Sequence, residues 1–397
     1  MKTHKYLGMD VHQDDSVVGV AEEGRGGAEY VYGKISSDLH AVDRMIAKLG
    51  GPEVTLHVAY EAGPTGFGLY RHLRARGIDC VVVAPSCTPE PKGGRQKTNR
   101  RDALQLARLH RAGSLTSIHV PDAEDESVRA LTRARSHAAR DLKRAKQRLK
   151  SFLLQQGYHY TGKANWSEAH QRYLRELVLP EPGLKAVLEE YLLAIDERTT
   201  RVRRLEELLA TQVPEWKMYP AVQALMCLRG FDLIAASILV AEINDIRRFT
   251  HPRGLMAYLG LVPKERSTGK DRKLYGITKA GNAQARWILV EAAQHASLPP
   301  KVSAALALRQ QGQPEKYRQI AWKAQVRLSK RYWYLMRRGV MSGKVKIAVA
   351  RELVGFVWDL LRQVPPPTSK AQTEPAPVSR SATRRLRRAQ RPKLATC

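Results

Sequence analysis

The chain has 397 residues, enough for two or three domains, and 43% of them are hydrophobic, so a sizeable core is available. Its 67 Lys and Arg against 38 Asp and Glu give a formal charge of +29, an excess that repels itself unless it meets a polyanion. Nucleic acid is the expected partner; no apolar run is long enough to span a bilayer, and MKTHKYLGMDVHQ, its short apolar part interrupted by an acid, does not read as a signal peptide.

From Lys5 to Ala84 the pattern alternates between strands and helices. YLGMDVHQDDSVVGVAEE predicts two short strands around a polar turn, and AEYVYGKI a third. DLHAVDRMIAKLG is an amphipathic helix stopped by Gly50, and EVTLHVAYEAG a strand with Val54, Leu56 and Val58 on one face. FGLYRHLRARG reads as a helix and IDCVVVAP as a buried strand. KTNRRDALQLARLHRAG then opens a helix holding one acid, Asp102, among many cations. Three early strands followed by βαβα give an α/β sheet of the ribonuclease-H kind.

From Glu126 to Phe152, and again from Leu184 to Leu209, apolar residues recur at threes and fours in an Arg-rich background. Two long amphipathic helices are expected, as an antiparallel hairpin or a coiled-coil dimer element, with GYHYTGKANWSE a loop between them. Their polar faces fit either solvent or nucleic acid. After Pro214 a mostly helical domain is expected from Val222 to Val364. Within it LMCLRGFDLIAASILVAEI has a helix-hairpin-helix-like shape, whose turn can offer backbone N–H groups to a phosphate or simply connect two helices. Residues 370–397 hold eight Lys and Arg and one Glu, a disordered basic tail. Cys80, Cys87, Cys227 and Cys397 make no Cys-x-x-Cys pair; Cys80 and Cys227 read as buried free thiols, which fits a reducing compartment.

Three acids stand where a sheet could use them. Asp10 lies in a strand whose Leu7, Met9 and Val11 face the other way, a costly place for a carboxylate unless it is paired or metal-bound. Glu61 ends a second strand, and Asp102 lies near a helix start. If the three meet they form a hard oxygen cluster suited to Mg²⁺, and a pair of such ions can activate a nucleophile and stabilise a leaving oxygen at a phosphodiester. Asp102 has a second reading, because Asn99 and Asp102 have capping-box spacing, with Asn99 as N-cap. An Asp after the first strand also occurs in actin-like sugar kinases, but the glycine-rich turn expected there is replaced by Val11-His12-Gln13. Further on, Ser267 and Thr268 precede Gly269 in a stretch read as a loop, dense with Lys264, Arg266, Lys270, Arg272 and Lys273. Lys279 and Arg286 follow around a glycine turn. A hydroxyl amid cations can attack a phosphodiester; a basic surface loop is the alternative.

Taken in order, YLGMDVH, YEAGPTG, KTNRRDALQLARL, LRGFDLIAASILVAEINDIRRF, YLGLVPKERSTG and GITKAGNAQARW resemble the DEDD transposases of the insertion-sequence one-hundred-ten family. The resemblance implies a RuvC-like domain (1–120), a coiled-coil insertion (121–216), a transposase domain with a serine nucleophile (217–364) and the basic tail (365–397). It implies Mg²⁺, two ions, held by four acids, a covalent serine–DNA link, a composite site in a dimer or tetramer, and a non-coding bridge RNA that selects target and donor DNA. It also implies a cytoplasmic, nucleoid-associated place. Asp10, Glu61 and Asp102 match the first, second and fourth acids, while Asn99 stands where the family has Asp, a ligand without charge. Counting back from Lys279 places the nucleophile at Ser267; counting forward from Gly260 places it at Thr268, kept as the alternate. Arg100, Arg101 and the cations around Ser267 are expected to hold nucleic acid. Two rival activities share these residues: a RuvC-type endonuclease or junction resolvase with water as nucleophile, and a decayed protein that only binds.

Overall fold

Strand β1 (Thr3–Val11) buries Leu7 and Met9 on one face and turns Gly8 and Asp10 to the other, following the two-residue period of a strand. It pairs antiparallel with β2 (Asp15–Glu22), which pairs antiparallel with β3 (Glu29–Ser36). After α1 (Leu39–Leu49), strand β4 (Val54–Glu61) joins the other edge of β1 in parallel; α2 (Gly68–Ala75) leads to β5 (Asp79–Val83), parallel to β4. Among the residues the computed structural model describes (3–85, 88, 98–268 and 271–367) this gives one five-stranded sheet of order β3-β2-β1-β4-β5. Val42, Met45 and Leu49 of α1 and Leu73 of α2 pack with Leu7, Met9, Val18, Val20, Leu56, Val58 and Tyr60 on one face. Helix α3 (Asn99–Arg111) covers the other. That topology, with helices on both faces, is an RNase H/RuvC-like α/β fold.

Helix α3 lies unusually close to the sheet. Gly8 and Gly19 are register partners on β1 and β2, and a Cβ on either would overlap the α3 backbone at Ala103 or Leu104. The two glycines thus form a seat for the helix, into which Ala103 and Ala107 fit.

The chain divides into two compact units, Met1–Asp122 and Ala123–Cys397. The second begins with α4 (Ala123–Gln155), which runs antiparallel to α6 (Pro182–Gln212): Phe152 meets Tyr191 at 5.4 Å near one end, and Arg135 pairs with Glu206 near the other. The two long helices therefore form a hairpin within the chain. The sequence reading missed α5 (Glu168–Glu176) near the far end, started by Ser167, whose hydroxyl accepts the His170 N–H. Leu149, Leu153, Leu174, Leu179 and Leu188 close a small core there.

The rest is a helical body: α7 (Tyr219–Met226), α8 (Leu233–Ile243), α9 (Pro252–Tyr258), a hairpin of β6 (Pro263–Thr268) and β7 (Asp271–Ile277), then α10 (Ala283–Ala293), α11 (Ala304–Gln310), α12 (Glu315–Arg337) and α13 (Ser342–Arg362). Helix α8 is buried from Ala236 to Ile243 and forms its axis. Cys80 and Cys227 are buried free thiols, pushed up by burial to about 12 and about 11. Among the described residues no helix is long and apolar enough to cross a membrane. Cys87, Cys397 and the basic stretch 370–397 lie outside the described residues.

One buried glutamate ties four helices of this unit. Glu242 of α8, 2% exposed, accepts Arg133 Nε at 2.7 Å and Nη2 at 2.9 Å from α4, and the Asn282 amide at 2.6 Å from the start of α10; its main-chain carbonyl accepts the Tyr258 hydroxyl of α9 at 3.3 Å. Burial pushes its carboxyl up, but Arg133, Asn282 and Arg129 outweigh burial and hold it below the usual range. Glu242→Gln is expected to cost about 3 kcal/mol, the lower end for a broken buried pair, because the Arg133 guanidinium is half exposed. Since the folded carboxyl is depressed, this stabilisation is present above the unfolded value of about 4.3 and drains as pH falls through the folded value. Thermal melts of the two proteins should differ at neutral pH and converge in acid; a constant gap would remove the charge from the explanation.

Candidate active site

Asp10 and Glu61 come to one place through strand register. Gly8 pairs with Ala59 and Met9 with Tyr60, so the next residues along the two parallel strands are Asp10 and Glu61. Leu7, Met9, Val58 and Tyr60 belong to the core under α1 and α2, which leaves Gly8, Asp10, Ala59 and Glu61 on the α3 face. Both carboxylates thus end neighbouring strands on the side where α3 starts. Ends of parallel strands are where an open sheet presents groups to a ligand. Thr88 donates its hydroxyl to Glu61 Oε1 at 2.8 Å.

The start of α3 differs from the sequence expectation. Asn99 is not the cap. Thr98 is extended and its hydroxyl accepts the Arg101 N–H, so Asn99 is the first helical residue and Asp102 falls outside the capping box. The Asp102 main-chain N–H bonds Thr98 O at 3.0 Å, and among the described residues no hydrogen bond or ion pair of its carboxylate is found. The shift by one residue frees both side chains from capping. Asn99 Nδ2 faces His12 Nε2 at 2.9 Å, and the same ring nitrogen lies 3.3 Å from Asp10 Oδ2. Which atom donates depends on the tautomer and the amide orientation.

His12 therefore links the end of β1 to the start of α3. The sequence reading passed over it, although its position two residues after Asp10 was a usable signal. Asp15, at the start of β2, is paired with Lys34 on β3 at 2.7 Å. Carboxylate oxygens are hard donors of the class that Mg²⁺ takes. Among the described residues, however, no three His, Cys, Asp or Glu side chains are gathered closely enough to hold an ion as they stand.

The serine stretch is a β-hairpin rather than the expected loop. Glu265 pairs with Leu274, Arg266 with Lys273 and Ser267 with Arg272. Ser267 is exposed, and its hydroxyl donates to Glu265 Oε1 at 2.8 Å, two residues back on the same face of the strand. Glu265 was not singled out from sequence. Lys264, Arg266 and Lys273 are exposed along the same hairpin, as are Arg100 and Arg101 on the first turn of α3. Lys270 and the side chains of Thr268 and Arg272 lie outside the described residues. Lys279 takes a left-handed φ of 57° and its N–H bonds Gly260 O. Arg286 Nη1 donates to Leu259 O and Ala280 O, both at 2.9 Å, and so braces the glycine turn. At the turn between α7 and α8, Asp232 accepts the Ala235 N–H at 2.7 Å. A carboxylate thus occupies the helix start at which a phosphate had been considered.

If Thr98 alone caps α3, Thr98→Ala should cost about 1 kcal/mol, and Asp102→Asn no more than about 0.5 kcal/mol. Chemical denaturation of the two variants checks this, and a larger loss for Asp102→Asn would return that residue to the cap.

Residues 222–306 match a family model described as the transposase IS116/IS110/IS902 family, and residues 7–158 match a second, the DEDD transposase of IS110 type. The chain is 42% identical over 364 residues to the putative transposase y4qE of Sinorhizobium fredii, covering 92% of this chain and 90% of that one. It is 29% identical over 342 residues to the transposase for insertion sequence element IS1533 of Leptospira borgpetersenii, covering 84% and 96%. With the transposase for IS1111A of Coxiella burnetii it shares 25% over 227 residues, 57% and 61% of the two chains. Spanned nearly end to end by a relative at that identity, on a DEDD-type α/β fold, the chain belongs to the IS116/IS110/IS902 family of transposases.

Proposed function

We propose that this transposase moves its own insertion sequence by cutting and rejoining DNA through a serine-linked intermediate, at sites chosen by a non-coding bridge RNA that pairs with target and donor. The observation that carries this reading is the β6–β7 hairpin, where an exposed hydroxyl already touches a proton acceptor amid cations. Ser267 Oγ attacks the phosphorus and forms the new P–O bond, its proton passing to Glu265. The P–O bond to the DNA strand breaks, and that oxygen leaves as a hydroxyl after taking a proton. Lys264, Arg266 and Lys273 hold the phosphate against its own charge. The covalent link stores the bond energy, so religation needs no ATP. Thr268 is the alternate nucleophile, disfavoured because a secondary hydroxyl is more hindered.

Asp10, Glu61 and Asp102, with the Asn99 amide, are the residues that would hold Mg²⁺, one ion or two, and bound Mg²⁺ would supply positive charge to polarise the phosphodiester. His12 positions Asn99 against Asp10. The chain works as a homo-oligomer, dimer or tetramer, and its charge of +29 suits a protein that holds RNA and DNA together.

A covalent trapping assay tests the chemistry. With Mg²⁺, the RNA flanking the element and labelled junction DNA, a denaturing gel should show a protein–DNA adduct that is lost in Ser267→Ala and in Asp102→Ala and kept in Thr268→Ala. Cleavage with no adduct would assign the attack to water, and neither cleavage nor adduct at any metal concentration would leave a protein that only binds. Asn99→Asp adds a charge among the acids and should lower the Mg²⁺ concentration for half-maximal adduct several-fold; an unchanged or raised requirement removes Asn99 from the ligand set.

A further inference from the structure

Helix α12 carries a solvent face unlike any other in the described residues. Trp322 is 46% exposed, Val326 42%, Trp333 44% and Tyr334 47%, although the opposite side of the helix is core, with Tyr317, Ala321, Ala324, Leu328 and Tyr332 buried. A helix anchored this firmly could have carried polar residues on its outer side. Instead it exposes two indoles eleven residues apart. That is about three turns, so they stand on nearly the same azimuth, about 16 Å apart along the axis. Lys323, Lys330 and Arg337 line one side of this stripe, and among the described residues none of the three is in an ion pair. Glu315 is the one acid of α12; it lies in the first turn and is paired with Arg318. Arg327 and Arg331 are occupied by Glu352.

Trp333 is held against the core. Trp333 packs nearly perpendicular to the buried Tyr332 with ring centroids 5.4 Å apart. Tyr334 has Arg331 and Arg338 within 5.8 Å of its ring centre and receives a hydrogen bond from Arg338 at 2.9 Å. A second copy of this chain is a poor occupant, because isologous pairing would set Lys323, Lys330 and Arg337 against themselves. The charge asks for a polyanion, and the flat indoles ask for one with open ring faces. A duplex shows its phosphates and base edges and keeps its faces stacked inside; an unpaired strand offers both.

We infer that the outer face of α12 is a stacking platform for an unpaired nucleic-acid strand, with Trp322 and Trp333 each taking a base and Lys323, Lys330 and Arg337 following the phosphates. About five nucleotides at the rise of a stacked strand span the two indoles. This rests on the proposal that the chain handles nucleic acid, and adds that part of it is held single-stranded.

The test is fluorescence anisotropy of the full chain with labelled dT20, rU20 and a 20-base-pair duplex at one fixed salt concentration. Trp322→Ala/Trp333→Ala should weaken single-strand binding at least about thirtyfold, the lower range for losing two base stacks, and leave the duplex unchanged. Trp322→Phe/Trp333→Phe, which keeps a ring face at each position, should recover most of it. The tighter of dT20 and rU20 tells whether the strand is DNA or RNA. Equal single-strand binding by wild type and the double-alanine variant overturns the platform while leaving the transposase reading intact, as does an equal loss for strand and duplex. Failure of the wild type to bind any of the three would overturn both.

Discussion

Helix α3 can lie against the sheet only because Gly8 and Gly19, neighbours across two strands, have no side chains there. Much of the N-terminal unit's candidate chemistry depends on that contact. Had the helix been lifted by a methyl layer on each strand, its first turn would have moved away from the ends of β1 and β4. As it is, Asn99 reaches His12, His12 reaches Asp10, and Asp102 lies in the first turn of a helix on the face to which Asp10 and Glu61 point. Tight packing is here the device that brings chain segments about ninety residues apart to one end of a sheet.

The second unit is organised by an opposite device, a buried charge. Glu242 would be costly on a buried, mostly apolar helix, and the cost is met by Arg133, Asn282 and Arg129. The same contacts fix the base of the long α4–α6 hairpin to α8 and the start of α10. Helix α10 follows the β6–β7 strands and the glycine turn that Arg286 braces, so the setting of the hairpin carrying Ser267 is tied into the same network.

Much of the fold was legible. Alternation in YLGMDVH and SVVGVA, helical spacing in LHAVDRMIAKL, and Gly or Pro at the boundaries are local signals, and the strands and helices of the first sheet came out as expected. What was missed has local causes too. The stretch KERSTGKDRKL is so charged that no apolar alternation betrays a strand, and only the pairing of two such segments makes the β6–β7 hairpin. Helix α5 is nine residues long and follows a glycine- and aromatic-rich turn. The cap of α3 was misplaced by one residue because Thr98 and Asn99 are both good capping residues.

By itself the sequence determined the polyanion-seeking charge, the order of elements in the first sheet and the residue types at Asp10, Glu61, Asp102 and Ser267, because composition and periodicity are properties of the chain alone. The three-dimensional arrangement decided which of them share a face. Register across parallel strands put Asp10 beside Glu61, the glycine seat brought up α3, and a one-residue shift in its cap released Asn99 to His12. Glu265 beside Ser267 and the open tryptophans of α12 emerged in the same way. Each depends on which side of an element is covered, and covering is done by residues distant in the chain, so no local pattern could announce it.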